Sequence, residues 1–368
     1  MTNKKSFKTP LSFGESPLEK GRTPKKIAIF YGGKISKHLC LLRKAARDMK
    51  VQVDLISYNK VSFDLNPSVS ATMETSPLDR GETLKDYDVI FFRTTGKHWE
   101  EVNFVVDWVK KNNPKCKIVD PLVEKGRPMD ACKAWQMVEL TKNNIEVPRT
   151  IYGSLWTLYN VIASGAKQSQ GDQKLSFLSK PLSGSRFARP AFPLENGKST
   201  LGEQLNFPII LKGSSGDRGT NVFKIDNLKQ LEKKVRELRK IEIEGGKRYM
   251  LQEFIPNDGD LRILVLGDKV LGAMKRTSQN FQKEFRNNFS VGGKVEVVEI
   301  PESIKKLAVK AAKVCGLLVA GVDVVYKDGD VNKPVVWEVN KGPQFWGFME
   351  ATKIDVPRKI IEFLISNF

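Results

Sequence analysis

Val336-Trp337-Glu338-Val339-Asn340, read with Asp323 in Val319-Ala320-Gly321-Val322-Asp323-Val324-Val325-Tyr326, decides how this chain folds. Between the two runs lies Lys327-Asp328-Gly329-Asp330, a turn signal flanked by strand-forming residues. Two strands joined by that turn bring Asp323, Glu338 and Asn340 close together. Carboxylate and amide oxygens are the donors that Mg²⁺ takes, beside waters and substrate phosphates. A hairpin with polar ends in water has the same local pattern, so the rest of the chain has to decide between the two.

The length of 368 residues suggests two or three domains, and 40% hydrophobic with 28% charged content suits a globular protein. No run reaches 18 apolar residues, so no membrane span is expected. The lysines at 4, 5 and 8 are not followed by an apolar stretch of the kind a secretory signal needs. Cys40, Cys116, Cys132 and Cys315 lie far apart without CxxC spacing, which reads as reduced thiols of a cytoplasmic protein. With His38 and His98 as the only histidines, a His-rich metal centre is excluded and a Ser-His-Asp triad is not expected. The net charge is +19, and residues 1–60 hold 14 Lys/Arg against 4 Asp/Glu. Such a field attracts polyanions, and it equally serves as a solubilising tail.

Residues 1–24 lack periodicity and read as a disordered basic tail. Strand-like runs at 26–31, 51–56, 88–93 and 116–120 alternate with helical patterns, which predicts a parallel βαβ domain over 25–125. Gly32-Gly33 after the first strand is not GxGxxG, so a dinucleotide site is not supported there. The remainder, 126–368, reads as a second domain with antiparallel sheets in two lobes, 206–250 and 251–368. A helix is expected over 130–141, and the Ser-, Gly-, Lys- and Gln-rich stretch 160–205 reads as a flexible insertion. Phe207-Pro208-Ile209-Ile210-Leu211-Lys212, the loop Gly213 to Thr220 and Asn221-Val222-Phe223-Lys224-Ile225 form a strand, a small-residue loop and a strand. No GK[ST] ends that loop, yet its glycines, Gly216 and Gly219 among them, let backbone N–H groups face a phosphate, with Lys212 as a point charge. A hairpin loop with solvated charges fits the same residues.

Taken together, Pro208 to Lys212 with its glycine loop, Leu251-Gln252-Glu253-Phe254-Ile255, Gly259-Asp260-Leu261-Arg262, Phe285-Arg286-Asn287-Asn288, Ala320-Gly321-Val322-Asp323 and Glu338-Val339-Asn340 resemble the ATP-grasp superfamily, in particular its RimK-type α-L-glutamate ligases. The resemblance covers roughly 25–155 and 206–368. It implies a pre-ATP-grasp α/β domain, a smaller ATP-covering lobe and a metal-binding lobe. It implies that Lys212 meets the ATP phosphates, that Glu253, Phe254 and Ile255 meet the adenine with Gln252 also among the nucleotide-binding residues, and that Asp260 holds the ribose side. Arg286, Asn287 and Asn288 would line the nucleotide and acyl-phosphate region, with Arg262 and Arg286 as the catalytic cations. Asp323, Glu338 and Asn340 would bind Mg²⁺, with Mn²⁺ as a substitute.

The implied activity is an ATP- and Mg²⁺-dependent carbon–nitrogen ligase that adds glutamate or another amino acid to a peptide, a small molecule or an acidic macromolecule. The alternative is an ATP-grasp scaffold that binds nucleotide or RNA without ligation. A homo-oligomer is compatible with the sequence. Three positions depart from the family pattern. Ala131 follows Asp130 where a lysine is common, which leaves Lys133 as the ATP-contacting candidate. Val291 stands where a basic residue precedes the paired glycines. Lys341-Gly342-Pro343-Gln344-Phe345-Trp346 replaces a smaller, more open turn, so substrate choice is expected to differ there.

Overall fold

Four apolar runs become the strands of a parallel sheet: β1 (Lys26–Tyr31), β2 (Gln52–Ser57), β3 (Val89–Phe92) and β4 (Lys117–Val119), in the order β2-β1-β3-β4. Ile27, Ile29, Phe30, Ile90 and Phe91 are fully buried in it. Strands that are apolar on both faces are what a parallel sheet covered by helices requires. The covering helices are amphipathic. α1 (Lys37–Asp48) is capped by Ser36, whose Oγ accepts the Leu39 N–H at 3.4 Å, and it buries Leu39, Leu42, Ala45 and Ala46. α2 (Trp99–Asn112) buries Val102, Val105, Val106 and Val109. This computed structural model describes residues 25–62, 84–126, 132–169, 205–214, 221–246, 248–277 and 294–367. The expected basic tail therefore lies outside the described residues.

A second unit runs over Asp120–Ile354. It starts with α3 (Pro121–Glu124) and α4 (Lys133–Lys142). β5 (Thr150–Gly153), α5 (Leu155–Ser169), β6 (Ile209–Gly213), β7 (Val222–Ile225), α6 (Leu228–Glu244) and β8 (Tyr249–Glu253) follow. Their strands pair antiparallel in the order β5-β8-β6-β7. Leu158, Ile162, Leu231, Val235, Leu211 and Leu251 meet in the core between sheet and helices. Burial of each such aliphatic side chain contributes about 1.5–3 kcal/mol.

The larger sheet contains β9 (Asp260–Leu266), β10 (Lys269–Thr277), β11 (Lys294–Val298), β12 (Val319–Tyr326) and β13 (Pro334–Lys341), with α7 (Glu302–Val314) between β11 and β12. Its order is β11-β10-β9-β12-β13, all antiparallel. Ile263, Val265, Val322, Val324 and Val336 form the core beneath it with Ala308 and Ala311 of α7 and with Met137 and Leu140 of α4. α8 (Trp346–Thr352) and α9 (Val356–Ser366) end the chain. The fold class expected from the sequence, a parallel α/β domain followed by two antiparallel lobes, is the one observed.

Several boundaries differ. The chain divides after Val119 instead of after 125, and Asp355–Phe368 belongs with the first unit, not the second. The reason is packing: α9 buries Val356, Ile360, Ile361 and Leu364, and it lies against α1. The stretch read as an insertion from 160 begins inside α5, which runs to Ser169 and buries Val161 and Ile162. The smaller lobe accordingly gains β5 and α5 and ends at Glu253, beyond the expected 250. The helix expected from 130 is described from Lys133 onward.

Candidate active site

β12 and β13 pair so that Asp323 stands opposite Glu338 and Gly321 opposite Asn340. Side chains alternate along a strand, so Glu338 and Asn340 share a face, and the register puts Asp323 on that face too. The ladder slips between Asp323 and Val324, leaving Trp337 as the extra residue. Asn340 Nδ2 donates to Asp323 Oδ2 at 3.1 Å and to the Gly321 carbonyl at 3.4 Å. The three side chains proposed from the sequence are therefore brought together.

Asp323 is 5% exposed and engaged by two arginines. Arg262, its cross-strand neighbour on β9, donates from Nε to Oδ1 and from a terminal nitrogen to Oδ2 at 2.9 Å. Arg276 on β10 sits 3.2 Å from Asp323 Oδ2. Arg276 also grips Asp260, donating from Nε to Oδ1 at 3.0 Å and from a terminal nitrogen to Oδ2. The result is a chain of alternating charge, Asp260–Arg276–Asp323–Arg262, almost entirely buried. Burial opposes the charge on Asp323, but Arg262 and Arg276 overcome it and hold its carboxyl below the ordinary aspartate value. Asp260 has one guanidinium where Asp323 has two. Burial, joined by repulsion from Asp323, leaves Asp260 above its ordinary value.

Two glycines make room for this network. A Cβ on Gly259 would stand 2.6 Å from the Arg276 carbonyl oxygen, and the residue has φ +145. A Cβ on Gly321 would stand 2.9 Å from Pro343 Cβ and 3.2 Å from Arg262 Cδ. Gly321 thus lets the arginine cross β12 to reach Asp323.

The Glu338 side is built from lysines. Lys133, at the start of α4, pairs with Glu338 at 2.9 Å. Burial works against the Glu338 charge, and the ammonium groups of Lys133 and Lys212 outweigh it, so the carboxyl lies below the ordinary range. Lys212, near the end of β6, is lowered to about 8 by burial; Glu338 and Asp323 resist this and repulsion from Lys133 adds to it.

The other expected nucleotide residues divide. Asp260, expected on the ribose side, is 3% exposed and held by Arg276 inside the sheet, so it orients an arginine instead of facing solvent. Gln252, expected among the nucleotide-binding residues, is 5% exposed, and its Nε2 donates to Thr150 Oγ1 at 2.7 Å, tying β8 to β5. Glu253 pairs with Lys327 at 3.0 Å, and the Lys224 ammonium lies 4.5 Å from the Phe254 ring centroid. Ile255 packs with Val325, Val335 and Trp337. Gly216, Gly219, Arg286, Asn287 and Asn288 lie outside the described residues.

Arg276 is the functional candidate that the motifs alone miss. Its signal is the hairpin register, which sets it opposite Asp260 and sets Met274 opposite Arg262. Among the described residues no group of three or more His, Cys, Asp or Glu could hold a metal ion. Two carboxylates and an amide oxygen nevertheless fit Mg²⁺, which is usually held by one or two carboxylates with the remaining positions left to water and phosphate.

Comparison with known proteins agrees with this architecture. A RimK-like ATP-grasp domain matches residues 193–364. A protein of Syntrophotalea carbinolica named "Probable alpha-L-glutamate ligase" is 31% identical over 271 residues, covering 68% of this chain and 86% of that protein. The chain belongs to the RimK-like ATP-grasp family. Other relatives match over less of their length: one named "Probable alpha-L-glutamate ligase", from Halorhodospira halophila, is 38% identical over 162 residues, 44% of this chain and 51% of that protein. The chain thus spans about half the length of the first such relatives, including 50% of one from Hahella chejuensis. Among solved ATP-grasp structures, the ligase PsnB complexed with a minimal precursor has a TM-score of 0.59 at 16% identity, covering 94% of this chain and 100% of that one. D-alanine–D-alanine ligase from Bacillus anthracis has a TM-score of 0.54 at 16% identity, covering 93% and 96%. At such identities the likeness is one of fold.

Proposed function

We propose that this RimK-like protein joins a carboxylate to an amine at the expense of ATP, through an acyl phosphate. One observation carries the reading. Asp323, Glu338 and Asn340 share a strand face, surrounded by Lys212, Lys133 and Arg262. In the proposed sequence a carboxylate oxygen of the acid attacks the γ-phosphorus of ATP, and ADP leaves. The amine nitrogen then attacks the acyl carbon, phosphate leaves, and the amine gives up a proton. Phosphoryl transfer of this kind needs counter-charge and positioning more than a protein nucleophile.

In this reading Lys212 meets the phosphates with the backbone around Gly216 and Gly219, while Glu253, Phe254 and Ile255 border the adenine. Arg262 and Arg286 face the anionic intermediate, with Asn287 and Asn288 beside it. Asp323, Glu338 and Asn340 would hold Mg²⁺, or Mn²⁺ in its place, which neutralises phosphate charge there. The named glutamate-ligase relatives favour glutamate as the amino acid added to a peptide or small-molecule acceptor. The four free cysteines suit a cytoplasmic setting, and among the described residues no helix is long and apolar enough to cross a membrane.

The test is a screen of amino acids and peptides with ATP and Mg²⁺, read by mass gain and ADP release. The expected result is mass gain that requires all three components. Absence of any nucleotide binding in calorimetry overturns the proposal. The net charge of +19 favours one other reading, a polyanion-binding scaffold, which predicts RNA binding that is steeply salt-dependent and indifferent to ATP.

A further inference from the structure

Helix α4 has two working faces. Gln136 donates from Nε2 to the Val339 carbonyl at 3.1 Å, between Glu338 and Asn340, and Lys133 pairs with Glu338 itself. Met137 and Leu140 on the same side join the core beneath β13. Trp135, Glu139 and Lys142 form a different stripe, spaced i, i+4 and i+7. Trp135 and Glu139 of that stripe border a cavity of about 200 Å³, which Leu122, Lys125, Val314 and Gly316 also line.

The lining chemistry is specific. Leu122 and Val314 supply apolar wall, and Trp135 an aromatic face. Glu139 is acidic and stands at the same cavity as the carbonyl end of α7, where the helix dipole favours a cation. Lys125 offers the opposite charge. The chain itself demonstrates the preference for an ammonium: Lys142 Nζ lies 5.1 Å from the Trp135 ring centroid and 3.1 Å from Glu139 Oε1. The Lys142 side chain is 59% exposed, so an arriving ammonium competes with a weakly held one. Gln136 also lines the cavity, and its buried Oε1 has no hydrogen-bond partner among the described residues. The volume is below the roughly 300–1,000 Å³ of drug-sized pockets, which excludes a nucleotide and suits a single amino acid.

We propose that this cavity is a second ligand site, for a free zwitterionic α-amino acid. Its ammonium takes the place of Lys142 against Trp135 and Glu139, its carboxylate meets Lys125, and its side chain packs on Leu122 and Val314. Because α4 also carries Lys133 and Gln136, occupancy biases the strand that presents Glu338 and Asn340. The binding itself is independent of the ligase reading, and only this effect on β13 rests on that reading.

The experiment is calorimetry of the full chain without nucleotide, titrated separately with L-glutamate, L-leucine and L-lysine, and with acetate and methylamine as singly charged controls. At least one amino acid is expected to bind and both controls to fail. Glu139→Gln and Trp135→Ala should each weaken that binding at least tenfold, while ADP binding is kept as the check on folding. Glu338→Gln, which reaches the cavity only through α4, should change it by less than about threefold. Loss of amino-acid binding in Glu338→Gln with retention in Glu139→Gln would place the amino acid at the main site and overturn the proposal. So would absence of amino-acid binding to the unmodified chain. A chain that binds amino acids through Glu139 but shows no ligation would uphold the second site and defeat the ligase reading alone.

Discussion

Asp323 and Glu338 face each other across β12 and β13, yet they are held by different means. Asp323 is gripped by two planar guanidiniums, one of them shared with Asp260, deep in the sheet. Glu338 keeps 26% of its side chain exposed and meets lysines from outside the sheet, Lys133 on α4 and Lys212 on β6. Guanidinium forks fix geometry through paired hydrogen bonds, whereas ammonium groups are point charges on flexible stems. The Arg side is therefore the more rigidly held of the two, and the Lys side the more adaptable.

The sharpest way to break this contrast is Arg276→Met. It leaves Asp260 buried without its guanidinium, so unfolding in denaturant is expected at a cost of about 3–5 kcal/mol. A loss under about 1 kcal/mol would mean that the network does not organise the fold. Glu338→Gln comes next. It is expected to lower turnover at least about 100-fold, near 2.7 kcal/mol of barrier, with the denaturation midpoint almost unmoved. Unchanged turnover would remove Glu338 from the metal site.

Lys212 gives a smaller, pH-dependent effect. With its value near 8, ADP affinity is expected to be flat below pH 8 and to fall by at most about tenfold per unit above it, measured by calorimetry. Lys212→Gln should flatten the profile. Folding follows the opposite sign. The unfolded chain keeps this proton up to the ordinary lysine value, so the group adds stability as pH rises from 8 toward that value. The smallest effect belongs to Asp258→Asn, which removes an ion pair with Lys275 in which the aspartate is 88% exposed. Its expected cost is under about 1 kcal/mol in the same denaturation assay.

Much of this fold is legible in the sequence. The parallel sheet followed from apolar runs at regular spacing, and Asp323, Glu338 and Asn340 followed from two strands and a turn. Arg276 was not legible, because one basic residue near the end of an apolar strand looks like any solvated charge until register sets it opposite Asp260. The resemblance implies ligand contacts for Asp260 and Gln252, whereas the structure ties them to Arg276 and Thr150, partners that motif identity alone does not reveal. The beginning of α5 was hidden by the polar stretch that follows it. The early boundary was hidden by Asp120, a fully buried carboxylate whose Oδ1 accepts the Leu318 N–H at 2.7 Å.

The return of α9 to the first unit has a consequence for how the protein is made. β1 to β4 leave the ribosome well before α9, the helix packed against α1. The second unit, contiguous from Asp120 to Ile354, has all its parts in hand before then. The first unit is therefore completed only after the second, and its sheet and α1 exist without α9 through the synthesis of more than two hundred intervening residues.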